Sequence, residues 1–178
     1  MSTVLPVSSF VPTLQTARLR LRRHRLDDFE PAAAMWGNPA VTRHVGGRPF
    51  TREEVWARLM RYVGHWALLG YGYWAIEDKL TGRFIGEAGF ADFKRDMEPP
   101  LDMPELGWVL APEAQGLGLA TEAARAAVAW GDGHFGAVRI VALIHPENEA
   151  SIRVARKLGF EEAAAIDYKG YPTLLFER

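Results

Sequence analysis

The stretch Gln115-Gly116-Leu117-Gly118-Leu119-Ala120-Thr121-Glu122 lies between an apolar run at 106–110 and an alanine-rich segment that ends near Trp130. The run is typical of a strand and the segment of a helix. Two glycines at a strand-to-helix turn let the backbone come close to a ligand with its free N–H groups exposed. Because the start of a helix carries partial positive charge, the turn is a candidate seat for a phosphate or pyrophosphate.

This turn differs from the commonest nucleotide-binding loops. A Walker loop ends in Gly-Lys-Ser/Thr, whereas Leu119, Ala120 and Thr121 follow the second glycine here. A dinucleotide fingerprint needs a third glycine, and the next one along the chain is Gly131. Two spaced glycines are also compatible with a tight turn that only allows a helix to pack closely on a sheet. The spacing alone therefore leaves both interpretations open.

A second motif, N-x-x-S-x-R-V-x-x-K-L-G-F at 148–160, lies further downstream. Together with Q-x-x-G-x-A at 115–120, it resembles the cofactor-binding motifs of the GNAT superfamily of acyl-CoA-dependent N-acyltransferases. The opening T-A-R-L-R-L-R at 16–22 is similar to the first strand of the Rim-type branch, which acetylates protein N-termini. The resemblance runs from about residue 14 to the C-terminus. It implies a single α/β (α+β) domain with a mixed, mostly antiparallel central sheet and about four flanking helices.

The composition is that of an ordinary globular domain. A chain of 178 residues suits one domain, which we place at 13–178 after a loose N-terminal arm at 1–12. Hydrophobic residues make up 48% and charged residues 24%, which leaves enough apolar side chains for a core. The net charge of −1 predicts no overall attraction to nucleic acid or to a membrane.

Several classes of site are excluded by residue type. The chain has no cysteine, so disulfides, thiolate metal sites and a covalent thioester on the protein cannot form. Its five histidines are scattered without a short ligand pair, so no metal site is predicted. The N-terminal residues lack a secretory pattern, and no run approaches the ~20 apolar residues of a membrane span. A cytoplasmic location is expected.

The remaining patterns predict the element order β-α-α-β-β-β-α-β-α-β-β. Residues 14–23 alternate apolar and basic side chains, which predicts one strand with its arginines on a solvated face. Thr51 and Glu54 have the capping-box form at the start of a helix of about four turns, and Asn148 is a favoured cap for a later helix. Further strands are predicted at 72–77, 84–93, 105–110, 139–144, 161–168 and 171–177.

The resemblance implies acetyl-CoA as co-substrate, with its pyrophosphate on the N–H groups of 116–121. It also implies that the backbone of 108–110 pairs with the pantetheine arm, as an added strand would. The predicted cofactor-binding residues are Trp108, Val109, Leu110, Gln115, Gly116, Leu117, Gly118, Leu119, Ala120, Thr121, Asn148, Ser151 and Lys157.

Two residues are predicted to take part in catalysis. Glu105, at the start of the strand at 105–110, is the candidate general base, acting directly or through a water. Glu87, Asp92 and His145 are its rivals. Ser151, near the positive end of its helix, is predicted to meet the departing thiolate by hydrogen bonding.

The acceptor is predicted to be a primary amine that receives the acetyl group directly, in a ternary complex. The Rim-like opening favours a protein N-terminus. A small amine, such as an amino acid, a polyamine or an antibiotic, is the same chemistry on another acceptor, and a CoA-binding scaffold without catalysis is a different class. The chain is expected to be a monomer or a homodimer.

Overall fold

The protein is described by a computed structural model that covers residues 11–98 and 100–178. The strands are β1 (Leu14–Gln15), β2 (Leu19–Arg22), β3 (Tyr73–Asp78), β4 (Phe84–Ala91), β5 (Glu105–Leu110), β6 (Val141–Ile144), β7 (Glu161–Tyr168) and β8 (Tyr171–Glu177). The helices are α1 (Phe29–Trp36), α2 (Pro39–Thr42), α3 (Arg52–Leu69), α4 (Leu119–Phe135) and α5 (Glu149–Lys157).

The strands form one sheet in the order β1-β2-β3-β4-β5-β6-β8-β7. All neighbouring strands are antiparallel except β5 and β6, which are parallel. The predicted α/β domain with a mixed, mostly antiparallel sheet is therefore confirmed. The one difference in helix number is the short α2, which Asn38 caps through a 2.9 Å hydrogen bond from the Ala40 N–H.

Both faces of the sheet are covered by helices. On one face α4 presents Ala123, Ala124 and Ala127, all buried, and these small side chains let the helix lie close to the strands. On the other face α1 and α3 enclose a second cluster that includes Trp36 and Val55. Because α4 packs closely on the strands, its first turn is held near the sheet.

The start of α3 follows its sequence signal. The Thr51 hydroxyl accepts a hydrogen bond from the Glu54 N–H at 3.2 Å, and the Glu54 carboxylate accepts one from the Thr51 N–H at 2.8 Å. This reciprocal pair confirms the predicted capping box. The helix ends at Gly70, whose φ of 74° is left-handed.

The predicted single strand at 14–23 was wrong, because the chain turns within it. Thr16 and Leu19 close the turn: the Thr16 N–H donates to the Leu19 carbonyl at 3.0 Å, and the Thr16 hydroxyl accepts from the Leu19 N–H at 2.9 Å. The two halves are the antiparallel strands β1 and β2. Polar side-chain bonding of this kind competes with a continuous strand, which an alternating pattern does not reveal.

The predicted solvated arginine face is right for Arg18 and Arg20, which are exposed, and wrong for Arg22. Arg22 is 5% exposed and forms ion pairs with Asp28 at 2.8 Å and Glu77 at 2.7 Å. Arg20 pairs with the same Glu77 at 2.6 Å. Since Glu77 lies opposite Arg20 on β3, it draws Arg22 into a buried ion-pair network across the strands, which an alternating pattern does not reveal.

The predicted arm at 1–12 falls mostly outside the described residues. Of its two described residues, Val11 packs against the main core, and the Pro12 carbonyl accepts a hydrogen bond from the Trp74 indole at 2.8 Å.

The junction of β5 and β6 sets up the site. β5 pairs with β4 along its whole length, but with β6 only where Glu105 lies opposite Val141. Beyond that pair the two parallel strands diverge, and α4 and α5 begin after their carboxyl ends. A crevice at the carboxyl ends of neighbouring parallel strands is where open α/β sheets bind ligands.

Candidate functional site

The glycine turn exposes the start of α4. Gly116 and Gly118 have φ of 75° and 77°, a left-handed conformation that glycine adopts readily, and a β-carbon on Gly116 would meet nothing within 4 Å. Among the described residues, the first hydrogen bond into the helix runs from the Glu122 N–H to the Gly118 carbonyl at 3.1 Å. The N–H groups of 119–121 are therefore available to an anion.

Two side chains hold this turn in place. The Gln115 amide nitrogen donates to the Leu110 carbonyl at 2.9 Å, which ties the turn to the end of β5. Arg18 donates to the Leu117 carbonyl at 3.0 Å and pairs with Glu122 at 2.7 Å. Sequence analysis did not find the role of Arg18, because it depends on a contact across 104 residues.

A cavity of about 730 Å³ opens between the diverging β5 and β6 and extends to α3 and the β7–β8 turn. Five of the predicted site residues line it together: Glu105, Trp108, Val109, Asn148 and Ser151. The turn at 115–121, Leu110 and Lys157 do not line this cavity, and Lys157 is exposed at the last turn of α5. The edge of β5 that faces the diverging β6 thus runs along the cavity to the glycine turn at its end.

The start of α5 forms part of the cavity wall. The Asn148 carboxamide oxygen accepts a hydrogen bond from the Ser151 N–H at 3.1 Å, which confirms the predicted cap. Ser151 is half-buried, and within residues 11–98 and 100–178 its hydroxyl has no hydrogen-bond partner. The hydroxyl is therefore free to bond a group in the cavity.

Glu105 is held by an arginine. Both oxygens of its carboxylate accept hydrogen bonds from Arg95 at 2.6 Å, and only 10% of the side chain is exposed. Burial opposes the charge of Arg95, but its hydrogen bonds to Glu105 raise the pKa of Arg95 above its ordinary value. Arg95 also lies 4.9 Å from the ring centres of Phe93 and Tyr168. Because both oxygens already bond Arg95, this ion pair argues against Glu105 taking a proton directly from the amine.

The two other carboxylates considered as the general base also have partners. Glu87 is 1% exposed, accepts a hydrogen bond from the Trp36 indole at 3.0 Å, and does not line the cavity. Asp92 lines the cavity and pairs with Lys94 at 2.7 Å. Each carboxylate in the cavity wall therefore already has a cationic partner.

The comparison with known proteins settles the family. Residues 18–161 match the family described as the acetyltransferase (GNAT) domain. The chain belongs to the GNAT family. It is accordingly an acyltransferase, as the two cofactor motifs predicted.

Relatives of this GNAT domain cover nearly its whole length. It is 33% identical over 173 residues to the uncharacterized protein YkkB of Bacillus subtilis, a match that covers 93% of this chain and 94% of YkkB. A Bordetella pertussis protein assigned to the GNAT acetyltransferases is 34% identical, with a TM-score of 0.81 over 94% of this chain and 99% of that one.

Structural neighbours of the GNAT domain include Rim-type ribosomal-protein acetyltransferases. The RimL α-N-protein acetyltransferase, solved in complex with coenzyme A, has a TM-score of 0.73 over 94% of this chain and 97% of its own, at 16% identity. That likeness shows a shared fold. In the described part of the GNAT domain, no helix has the length and apolar character needed to cross a membrane.

One group of potential metal ligands lies at the rim of the GNAT cavity. Within the described residues, His44, His145 and Glu147 are the group of three whose ligand atoms all lie within 4.8 Å of one another. The His145 Nδ1 accepts a hydrogen bond from the Glu147 N–H at 3.2 Å, and burial together with His145 lowers the pKa of His44. Only three ligands are present, so a bound metal would need further ligands from solvent.

Tyr73 is a cavity residue of this GNAT domain that sequence analysis missed. A β-carbon at Gly107 would lie 1.9 Å from the Tyr73 hydroxyl oxygen, so the phenol crosses β5 where only glycine leaves room. Burial raises the pKa of Tyr73 well above its ordinary value, and the neighbouring Tyr62 and Glu105 raise it further. The phenol keeps its proton and can donate a hydrogen bond into the cavity. Gly107, a glycine inside a strand, is the sequence signal from which this close approach could have been predicted.

Proposed function

We propose that this GNAT enzyme transfers an acetyl group from acetyl-CoA directly to a primary amine, in a ternary complex. The divergence of β5 and β6 beside the exposed start of α4 carries the proposal. The turn at 116–121 would bind the pyrophosphate, and the free edge of β5 at 108–110 would pair with the pantetheine arm. The thioester would then lie in the cavity, next to Ser151.

The reaction depends on positioning the two reactants and needs no covalent intermediate on the protein. The amine nitrogen attacks the thioester carbon, the carbon–sulfur bond breaks, and the sulfur leaves as a thiolate that then takes up a proton. Holding the two reactants in line can supply about 7–11 kcal/mol of the barrier. A thiol with a pKa of about 8.5 leaves readily, so a hydrogen bond from Ser151 suffices to assist it.

The amine must also lose a proton. Glu105 is the proposed acceptor through an ordered water, because its carboxylate lines the cavity but is occupied by Arg95. A backbone N–H of β5 would face the carbonyl oxygen as negative charge develops on it. The Arg95 ion pair is also the observation that favours the second candidate function, a CoA-binding protein without catalysis.

The proposed acceptor is the amine of a protein N-terminus. Rim-type neighbours act on ribosomal proteins by their names, which favours a protein N-terminus as acceptor. A small amine is the alternative acceptor for the same chemistry. Lys157 and Asn148 are proposed cofactor contacts, Lys157 through phosphate oxygens and Asn148 while it caps α5.

Thr121→Asp tests the phosphate seat, with Thr121→Asn as its matched control. An aspartate in the first turn stabilises a helix, so lost binding cannot be ascribed to a weakened α4. A negative charge about 6 Å from a phosphate, at an effective dielectric constant of about 40, costs about 1.4 kcal/mol. We expect acetyl-CoA to bind Thr121→Asp about ten-fold more weakly than Thr121→Asn.

The measurement is the rise in melting temperature with acetyl-CoA. A ligand at one hundred times its Kd stabilises by about 2.7 kcal/mol, which is about 5–10 °C for a chain of this size. Because the chain has no thiol, a thiol reagent reports CoA release without background. Equal binding by the two Thr121 variants would refute the seat. Binding without thiol release from any amine would support the scaffold function.

A further inference from the structure

The cavity wall carries a surplus of positive charge. Six Lys or Arg side chains line it, against two carboxylates. The cations are Arg43, Arg58, Arg61, Lys94, Arg95 and Lys169, and the carboxylates are Asp92 and Glu105. The whole chain has a net charge of −1, so this surplus is local and does not reflect a basic protein.

Four of these cations have no acidic partner. Both carboxylates of the wall are used, by Lys94 at 2.7 Å and by Arg95 at 2.6 Å. Across residues 11–98 and 100–178, no ion pair involves Arg43, Arg58, Arg61 or Lys169. The other positions, 1–10 and Pro99, include no Asp or Glu. The turn at 116–121 does not line the cavity, so these cations are separate from the proposed phosphate seat.

Arg58 is the most firmly placed of the four. Its guanidinium carbon lies 4.1 Å from the Trp36 ring centre and 4.8 Å from that of Phe50. One terminal nitrogen donates to the Tyr62 hydroxyl at 3.2 Å, whereas the Nε is buried and, among the described residues, has no hydrogen-bond partner. A buried donor without an acceptor is destabilising unless a ligand supplies one. The aromatic contacts fix the guanidinium plane, so little order is lost when an anion binds.

Arg61 lies almost one helical turn further along α3. Its guanidinium carbon is 5.0 Å from the Phe93 ring centre, at the cavity wall. Burial lowers the pKa of Arg61, and the charge of Arg58 lowers it further. Glu87 is buried outside the cavity lining, and the Trp36 indole donates a hydrogen bond to one of its oxygens at 3.0 Å. Two neighbouring cations without a shared counter-ion favour binding of an anion between them.

We propose that the acceptor of this enzyme is an amine that also carries a carboxylate, and that Arg58, assisted by Arg61, binds that carboxylate. The proposal rests on the proposed acetyl transfer and names its substrate class. The planar fork of an arginine matches the two oxygens of a carboxylate. A free amino acid and a peptide with an acidic side chain near its N-terminus both offer this chemistry.

The same charge distribution bears on the amine itself. A positive surrounding disfavours the ammonium form and so increases the fraction of neutral, nucleophilic amine. It also repels a polyamine, which carries several positive charges. Among the small-molecule acceptors, the cavity therefore favours amino acids over polyamines.

Two measurements test the proposal on the full chain. The first needs no turnover: the melting temperature of the CoA-saturated protein is measured with glutarate and with its uncharged diamide. The second measures thiol release with L-amino acids, their amides, short peptides with Glu or Gln at the second position, and spermidine. The variants are Arg58→Gln, Arg58→Lys and Arg61→Gln. The control is Arg52→Gln, which removes the same charge from the exposed face of α3, where Arg52 pairs with Glu30 at 2.7 Å.

We expect glutarate, and not the diamide, to raise the melting temperature of the wild type and of Arg52→Gln. Arg58→Gln should lose that rise, Arg58→Lys should keep part of it, and Arg61→Gln should weaken it. In turnover, kcat/KM for acids should exceed that for the matched amides at least ten-fold, and Arg58→Gln should reduce the difference below three-fold. Whether the free amino acids or the Glu peptides turn over faster identifies the source of the carboxylate.

The outcomes separate this inference from the proposed function. If glutarate has no effect, or the same effect in Arg58→Gln as in Arg52→Gln, the inference is overturned whether or not thiol is released. Equal or faster turnover of amides or spermidine overturns it as well. If no acceptor releases thiol although acetyl-CoA raises the melting temperature, the proposed transfer fails, and the glutarate result still decides whether Arg58 binds a carboxylate.

Discussion

The ion pair between Glu105 and Arg95 leads to the most quantitative prediction. Both hydrogen bonds are 2.6 Å long, and the two side chains are 10% and 20% exposed. Removing one partner of a fully buried pair costs about 3–5 kcal/mol, because the other charge stays buried without compensation. Since both ends of this pair reach solvent in part, we expect about 2–3 kcal/mol for either Glu105→Gln or Arg95→Gln.

The double variant separates the pair from its surroundings. If the two residues were independent, the double variant would cost the sum of the single variants, about 5 kcal/mol. Because the second substitution removes a charge that the first left unpaired, we expect about 3 kcal/mol and a coupling energy of about 2 kcal/mol. Each kcal/mol lowers the melting temperature by about 2–4 °C at this chain length, so either single variant should melt about 4–12 °C lower.

Urea unfolding followed by tryptophan fluorescence measures these energies, since the chain has six tryptophans. Costs that add to within about 0.5 kcal/mol would refute the pair. The pH dependence of kcat/KM tests the catalytic role in the same variants. An unchanged wild-type profile in Glu105→Gln would show that the proton acceptor is another group.

Two further predictions concern close packing and a surface cap. Gly107→Ala should destabilise the fold by about 1–3 kcal/mol, because its β-carbon would lie 1.9 Å from the Tyr73 hydroxyl oxygen. Adding Tyr73→Phe to the same chain should restore part of the lost stability, as measured by urea unfolding. If the second substitution restores nothing, the contact is contradicted. The hydrogen bonds from Arg48 and then from the Thr51 N–H lower the pKa of Glu54 to about 2, so its stabilising effect is complete above its ordinary pKa and is lost as the pH falls towards 2. An NMR titration should give a higher Glu54 pKa in Arg48→Gln than in wild type, and equal values would exclude that ion pair.

The sequence features that predicted the fold are local, because each is formed by residues close together along the chain. The capping box at Thr51, the cap at Asn148 and the glycine turn at 115–121 each involve residues within a few positions of one another. Local backbone geometry and hydrogen bonding determine such features, so they can be predicted without knowing the rest of the fold. The failure at 14–23 has the same origin, since alternation alone does not distinguish one strand from two joined by a tight turn.

The amino-acid sequence by itself determined most element types, the glycine turn at the start of α4 and the family. Only the tertiary structure decided that β5 and β6 part after Glu105, that Arg95 occupies its carboxylate, and that Arg58 faces the cavity without an acidic partner. These features bring together residues from α3, the loop before β5 and the β7–β8 turn. Their charges interact through space, over distances that depend on the packing of the whole sheet, and no local pattern encodes them.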